Sequence, residues 1–435
     1  MSGLPSTSRH RSLPVVLGYL YFFARALREI ARPGVVIEWH SGPGGEALNL
    51  HLPRGKSDDR NRERNLAAAI LAALFVLEAN VSFAQEPPPP PALPAPAPAV
   101  IQLHGFVDAY ASWNPNRPSD RNNFEPGSGT TGQKANQLGL NLAALDVSYD
   151  ANPVGFHVVG VAGTGTDVVH SAELHPNSWR FLQQASVSYK LGAGRGIFFE
   201  LGIQPSHIGY EGFFSKDNWN YTRGWMGEFS PYYQTGLKIA TSFDDHWSGQ
   251  LWLLNGWQNI EDNNGAKAFG TKFAYAKDAL SVTVNTFFGP ELPDDDAHWR
   301  SFLDFVATWK ISQNVQLAAS FDLGEQRRPG LPPARWQGAS LWLRTLLRKS
   351  FSSSSSPSAL SLRAEYFHDP DAAVSPFSQD LWGATLTLEV RPRPQLTLKL
   401  EGRYDHSTAV AFGGPDGPFT KRDELLFVFG AVATF

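Results

Sequence analysis

The sequence predicts an all-β protein folded as a transmembrane antiparallel β-barrel of about sixteen strands. Three observations predict it. From Val100 to the C-terminus, stretches of about ten residues repeat, the length that crosses a bilayer at a tilt. The connections between these stretches alternate between long and short along the chain. In many stretches the charged side chains occupy one face of the period-two pattern, and an apolar row occupies the other.

The composition is consistent with this class. The chain has 435 residues with no cysteine, 13 tryptophans, 39 glycines and a formal charge of −4. Lack of cysteine excludes a disulfide framework, and so small a charge does not argue for a nucleic-acid partner. No run of about 20 apolar residues follows position 86, so no membrane-spanning helix is expected beyond the leader.

Residues 60–84 read as a Sec signal peptide. Arg60, Arg62 and Arg64 form a basic segment, residues 66–77 (LAAAILAALFVL) an apolar core, and Ser82-Phe83-Ala84 a small-x-small cleavage site. Cleavage after Ala84 makes Gln85 the mature N-terminus. Residues 1–59 stand where a signal peptide should begin the chain. They read as upstream DNA translated from an early start or as an over-long leader, the first being favoured, and in both readings the mature protein lacks them. Residues 85–99 contain EPPPPPALPAPAPA, which packs as neither helix nor sheet and is expected to be polyproline II. It is read as a semi-rigid periplasmic tether of roughly 40 Å.

Residues 100–435 are the barrel. Its expected strands are 101–113, 137–149, 154–164, 181–191, 196–204, 232–242, 247–255, 267–275, 280–288, 300–310, 315–323, 336–347, 360–368, 381–390, 395–405 and 424–435. Long connections fall at 114–136, 165–180, 205–231, 256–266, 289–299, 324–335, 369–380 and 406–423. Short ones include 150–153, 192–195, 244–246, 276–279, 311–314 and 391–394. Tight periplasmic turns, long external loops and an even strand count are the habit of a transmembrane barrel. The turn 348–359, swollen by Ser352–Ser356, departs from that rhythm.

The last strand shows the faces best. Leu425, Phe427, Phe429, Ala431, Ala433 and Phe435 share one face, and Leu426, Val428, Gly430, Val432 and Thr434 the other. A closing strand that ends on an aromatic resembles those of Gram-negative outer-membrane barrels, which makes Phe435 the candidate signal for the barrel assembly machinery. In strand 395–405, Leu396, Leu398 and Leu400 would meet lipid while Lys399, Glu401 and Arg403 line the lumen, where water solvates them. Arg363 and Glu365 face inward opposite Leu360, Leu362 and Ala364. Glu200 faces inward opposite Ile197, Phe199, Leu201 and Ile203, and Arg344 joins the same lining. Strands 137–149 and 154–164 alternate poorly.

No catalytic or metal constellation emerges. Asp244-Asp245-His246 sits in an expected tight turn, and Asp262-Asn263-Asn264-Gly265 in a Gly-terminated loop, both ordinary turn chemistry. Asp294-Asp295-Asp296 reads as a solvated acidic loop before it reads as a Ca²⁺ site. The 12 histidines show no metal-ligand spacing. No cofactor is expected.

The loop 205–231 is unusual, with Tyr210, Phe213, Phe214, Trp219, Tyr221, Trp225 and Phe229 among Glu211, Lys216, Asp217 and Arg223. Burial of such aromatics is worth roughly 1.5–3 kcal/mol each, and the nearest shelter off the lipid is the barrel interior. Folded inward, its charges would face a basic wall of Arg344, Arg363, Lys399 and Arg403 across the lumen. Such a transverse field filters polar solutes by charge and size.

Several runs resemble the OmpL-like outer-membrane porin family: His104-Gly105-Phe106-Val107-Asp108-Ala109-Tyr110, Gly209-Tyr210-Glu211, 217–225 (DNWNYTRGW), 255–259 (NGWQN), Phe288-Gly289-Pro290-Glu291 and 364–371 (AEYFHDPD). The resemblance spans essentially 101–435. It implies a water-filled outer-membrane channel for passive diffusion of small polar solutes or ions, embedded in outer-membrane lipid. By analogy with general porins it also implies a homotrimer and an inward-folded third external loop. From Glu86 onward acidic residues outnumber basic ones, which predicts a mildly acidic lumen favouring cations. A structural or adhesive barrel with a closed pore is the alternative, and no nucleophile–base pair supports an enzyme.

Overall fold

The computed structural model describes residues 100–150, 153–347 and 358–435, together with the backbone of 36–42 and 45–51. The chain divides into two units, Met1–Ala97 and Pro98–Phe435. In the first, β1 (Val36–Gly42) and β2 (Gly45–His51) pair as an antiparallel hairpin. The signal peptide, the proline tether and the serine run 352–356 lie outside the described residues.

The second unit contains a closed barrel of sixteen antiparallel strands. In order they are β3 (Ile101–Trp113), β4 (Leu138–Asp150), β5 (Val154–Ala162), β6 (Leu182–Leu191), β7 (Ile197–Pro205), β8 (Tyr233–Ser242), β9 (Trp247–Leu254) and β10 (Ala268–Lys277). They continue with β11 (Leu280–Pro290), β12 (Trp299–Lys310), β13 (Val315–Arg328), β14 (Leu331–Leu347), β15 (Ser358–Asp369), β16 (Gln379–Arg393) and β17 (Leu396–Ser407). A small external hairpin, β18 (Phe412–Gly414) and β19 (Gly417–Lys421), precedes the last strand, β20 (Asp423–Thr434).

Each strand pairs with its neighbour in sequence, β17 excepted, which pairs with β20. Closure is made by β20 on β3, in register from Phe427↔Trp113 to Thr434↔Phe106. Phe435 extends the ladder through reciprocal backbone bonds with Gly105 of 3.0 and 3.2 Å. Its ring lies over Gly105, where a Cβ would stand 2.4 Å from the ring edge. Closure leaves the barrel without an edge strand, which is what a sheet crossing hydrocarbon requires.

All sixteen expected strands form, and the faces follow the period of two. Leu425, Phe427 and Phe429 of β20 are exposed outward, and Leu426, Val428 and Val432 are buried inward. Leu360 and Leu362 of β15 and Leu400 and Tyr404 of β17 are likewise exposed, while Arg363, Lys399, Glu401 and Arg403 are buried.

Three departures have local causes. The expected long loop 324–335 is instead strand: β13 runs to Arg328, β14 starts at Leu331, and Pro329-Gly330 turns between them with Gly330 at φ +66°. The ladder shifts register between Gln326 and Arg328, which spares it the donors that Pro332 and Pro333 lack. Ile203, expected to face lipid, is buried with Val159, Val161 and Tyr233. Gly202 before it adopts φ +133°, a conformation that re-aims the strand. The weak alternation of β4 has a bulge as its origin. In β4 the ladder skips Asn141 between the partners of Asp108 and Ala109, so Asn141 and Leu142 are both buried and the inward parity resets. At a second bulge, between β5 and β6, the extra residue is Gln183 of β6, and β5 itself keeps one parity.

Candidate functional site

The connection between β7 and β8, residues 206–232, folds into the barrel. Tyr221 and Trp225 are fully buried, and Ile208, Phe213, Met226 and Phe229 nearly so. Trp225 packs edge-on to Phe124 at 6.2 Å and stacked on Phe229 at 5.8 Å, with Phe229 against Phe367 of β15 at 5.0 Å. Trp257 from the next long connection adds edge-on contacts with Phe287 and Phe302. Together with Phe412 and Leu426 these side chains form one apolar cluster inside the barrel, except Phe213, which packs in a second cluster with Ile203 and Tyr232.

Polar contacts fix the loop to one wall, made by β3, β14, β15, β16 and β17. The Arg363 guanidinium donates to Glu211 Oε1 at 2.9 Å, to the Thr222 carbonyl at 2.6 Å and to Glu365 Oε1 at 3.1 Å. Glu211 in turn accepts from the Gly224 N–H at 2.6 Å. Glu401 accepts the backbone N–H groups of Tyr221 and Thr222 at 2.6 and 3.0 Å. Lys399 donates to the carbonyls of Ser215 and Asn218 at 2.8 and 2.5 Å. Arg403 donates to the Arg223 carbonyl at 2.6 Å and to Asp405 at 2.6 Å, its guanidinium 4.8 Å from the centre of the Trp225 ring. Trp225 donates its backbone N–H to Glu365 and its indole N–H to Asp405.

The sequence expected these charges to face one another across an open lumen. Arg363, Lys399, Glu401 and Arg403 instead touch the loop directly and are buried by it. Desolvated charges at this spacing need partners, and the loop backbone supplies them. Arg344 pairs with Glu389 at 2.9 Å and lies 6.0 Å from the centre of the Trp219 ring. Lys216 and Asp217 pair with each other at 2.8 Å and keep access to water. Arg223 stacks on Tyr232 and donates to the Glu211 carbonyl. Glu200 stands on β7, outside that wall, held by Ser186 at 2.6 Å and by Lys238.

Asp108 and Asp405 were not singled out as site residues, yet both hold the loop. Asp108 accepts from Tyr221 Oη at 2.8 Å and Ser215 Oγ at 2.6 Å. Its signal was a single carboxylate in the middle of the first strand, where only an inward position tolerates a charge.

Against the opposite wall a cavity of about 540 Å³ remains. Its lining includes Ser148, Gln184, Glu200, Lys238, Gln250 and Lys272, from β4 and β6 to β10. Short side chains in the lining, among them Ser186 and Ser188, leave the space open.

The acidic loops are structural. Asp244 accepts the N–H groups of His246 and Trp247 at 2.8 Å each, and these bonds hold its carboxyl below the usual range. Asp296 accepts the Gly265 N–H at 2.7 Å, and the Asp294 N–H reaches the Asn263 carbonyl, so two acidic stretches dock on each other. No group of metal-binding side chains exists among the described residues. In the external connection after β3, burial pushes the Glu125 carboxyl up to about 8, and Gln379 donates to it at 2.8 Å.

A family model described as beta-barrel porin-2, OmpL-like, matches residues 100–435. No curated protein matches the sequence. Among solved structures, the anion-selective porin of Comamonas acidovorans shares the fold at TM-score 0.54 and 13% identity, over 78% of this chain and 100% of its own. The outer membrane channel DcaP of Acinetobacter baumannii matches at TM-score 0.53 and 11% identity, over 78% and 97%. The in-vitro folded outer membrane protein OmpT of Vibrio cholerae matches at 0.50 and 12%, over 78% and 99%.

Proposed function

The chain belongs to the OmpL-like beta-barrel porin family, and from that premise we propose that it passes small polar solutes or ions by passive diffusion. The passage is the space between the inward loop and the β6–β10 wall. One observation carries this reading. The loop 206–232 is anchored on the β14–β17 side by the buried bonds of Arg363, Lys399, Glu401 and Arg403. Its mass therefore lies to one side, and the cavity left over is lined by hydroxyls, amides and charges. A rigid loop narrowing a wet lumen selects by size and by lining chemistry, with no cofactor and no turnover.

Export through the leader of residues 60–84, folding by the barrel assembly machinery and assembly into a trimer complete the proposal. The test is single-channel recording of the purified protein in a planar bilayer. Discrete, ohmic conductance steps are expected. A correctly folded barrel that gives no steps would reject diffusion in favour of a closed structural barrel.

A further inference from the structure

We propose that Lys272 and Gln250 form an oxyanion subsite in the lumenal cavity, which gives the channel a preference for small carboxylate anions. The inference rests on the channel reading above and names the class of solute it favours.

Lys272 and Gln250 are register partners on β10 and β9, so their side chains leave the wall side by side and inward. Lys272 donates no hydrogen bond and forms no ion pair among the described residues, although the cavity it lines also holds the carboxylates Glu200 and Asp150. Three of the acids around it are engaged elsewhere. Glu200 is held by Lys238 and by Ser186 at 2.6 Å. Asp304, on β12, accepts the Gly209 N–H and the Asn285 amide, both at 2.7 Å. Asp146 is paired with His157 at 2.8 Å. Asp150, at the turn end of β4, lines the same cavity.

Gln250 is oriented for the same task. Its carbonyl oxygen accepts the Trp252 indole N–H at 3.1 Å. With the acceptor end of the amide occupied, the NH₂ end is the part left to meet a solute. Trp252 is itself fixed, stacked on His207 at 5.0 Å. A free ammonium beside a pre-oriented amide NH₂ offers two donors to the two oxygens of one carboxylate. The His207 ring packs over Gly270, two residues from Lys272 on the same strand, and so borders the subsite on that side. Lys238, the other lysine lining the cavity, is paired with Glu200, so Lys272 is the lining lysine left to draw an anion, against the expectation from the acidic excess of the whole chain.

The experiment measures reversal potentials of the purified full chain in planar bilayers, under gradients of potassium chloride and of potassium acetate. The wild-type channel is expected to favour the anion in both salts, and added acetate is expected to reduce the chloride current. Lys272→Gln should lower the anion-to-cation ratio several-fold and abolish the acetate effect. Gln250→Glu keeps the acceptor for Trp252 but replaces the donor with a negative charge, and should shift the ratio in the same direction. Lys190→Gln, on β6 near the short turns, should change neither. Heat-modifiable migration on gels confirms that each variant is folded. A cation-preferring wild type, or an unchanged ratio in folded Lys272→Gln, overturns the subsite while leaving the channel standing. Complete lack of conductance overturns the channel reading itself and the subsite with it.

Discussion

Arg363 and Glu211 are 152 positions apart in the chain and meet at 2.9 Å, both buried, where β15 touches the inward loop. The pair joins the loop to the wall, and its surroundings leave neither charge unsatisfied. Arg363 also reaches Thr222, Glu365 and Thr385, and Glu211 also takes the Gly224 N–H. A buried pair of this kind is costly to break from one side only, because the remaining charge is stranded without water.

Arg363→Met should therefore release the loop. The expected cost is about 3–5 kcal/mol of loop docking. Limited proteolysis of the folded barrel should reveal cleavage within residues 206–232 that the wild type resists. Glu211→Gln combined with Arg363→Met should cost less than the sum of the two single changes, since each strands the other's charge. Equal protection of wild type and Arg363→Met would refute the latch.

Removing Lys216–Arg223 shortens the loop where Glu401 and Lys399 hold it. Conductance should rise and ion preference weaken, read in planar bilayers on protein shown to be folded by heat-modifiable migration. An unchanged conductance would mean that this loop does not set the narrowest point.

Thiol labelling can separate the two walls without background, since the chain has no cysteine of its own. Glu200→Cys, in the cavity, should react quickly with small water-soluble reagents. Arg403→Cys, sealed beneath the loop, should react slowly in the full-length barrel and quickly once Lys216–Arg223 is removed. The reverse order of rates would place the passage on the β14–β17 side.

Glu125 links the external connection after β3 to pH. Burial raises its carboxyl from 4.5 to about 8, so the native state favours the protonated form. Its stabilising contribution is complete below about 4.5, falls as pH rises toward about 8 and stays lost above that. Trypsin cleavage at Arg121 or Lys134 should accelerate across that window, and Glu125→Gln should flatten the dependence. A wild-type profile as flat as that of the variant would contradict it.

Deletion of Phe435 should reduce assembly far more than a change at Thr434. Phe435 adds two backbone bonds to the closing ladder and lays its ring on Gly105. The yield of heat-modifiable barrel in outer-membrane fractions measures this, and equal yields from the two variants would remove the role of the terminal aromatic.

The sequence by itself determined the barrel. Strand length is set by bilayer thickness and sidedness by the cost of charge in lipid, and both are local rules written in most of the strands between Ile101 and Thr434. It also determined that the aromatics between Tyr210 and Phe229 must be buried, because seven such rings cannot face water together. The partners of the inward charges were decided by the tertiary structure. Period-two alternation says that Arg363, Lys399 and Arg403 point inward, but not whether they meet water, an opposing carboxylate or a loop backbone. That outcome depends on contacts between residues more than a hundred positions apart, such as Lys399 with Ser215 and Arg403 with Arg223. The same holds for Lys272. Its strand position was legible, whereas its lack of an ion-pair partner arose only when folding gave Glu200 to Lys238 and Asp304 to Gly209 and Asn285.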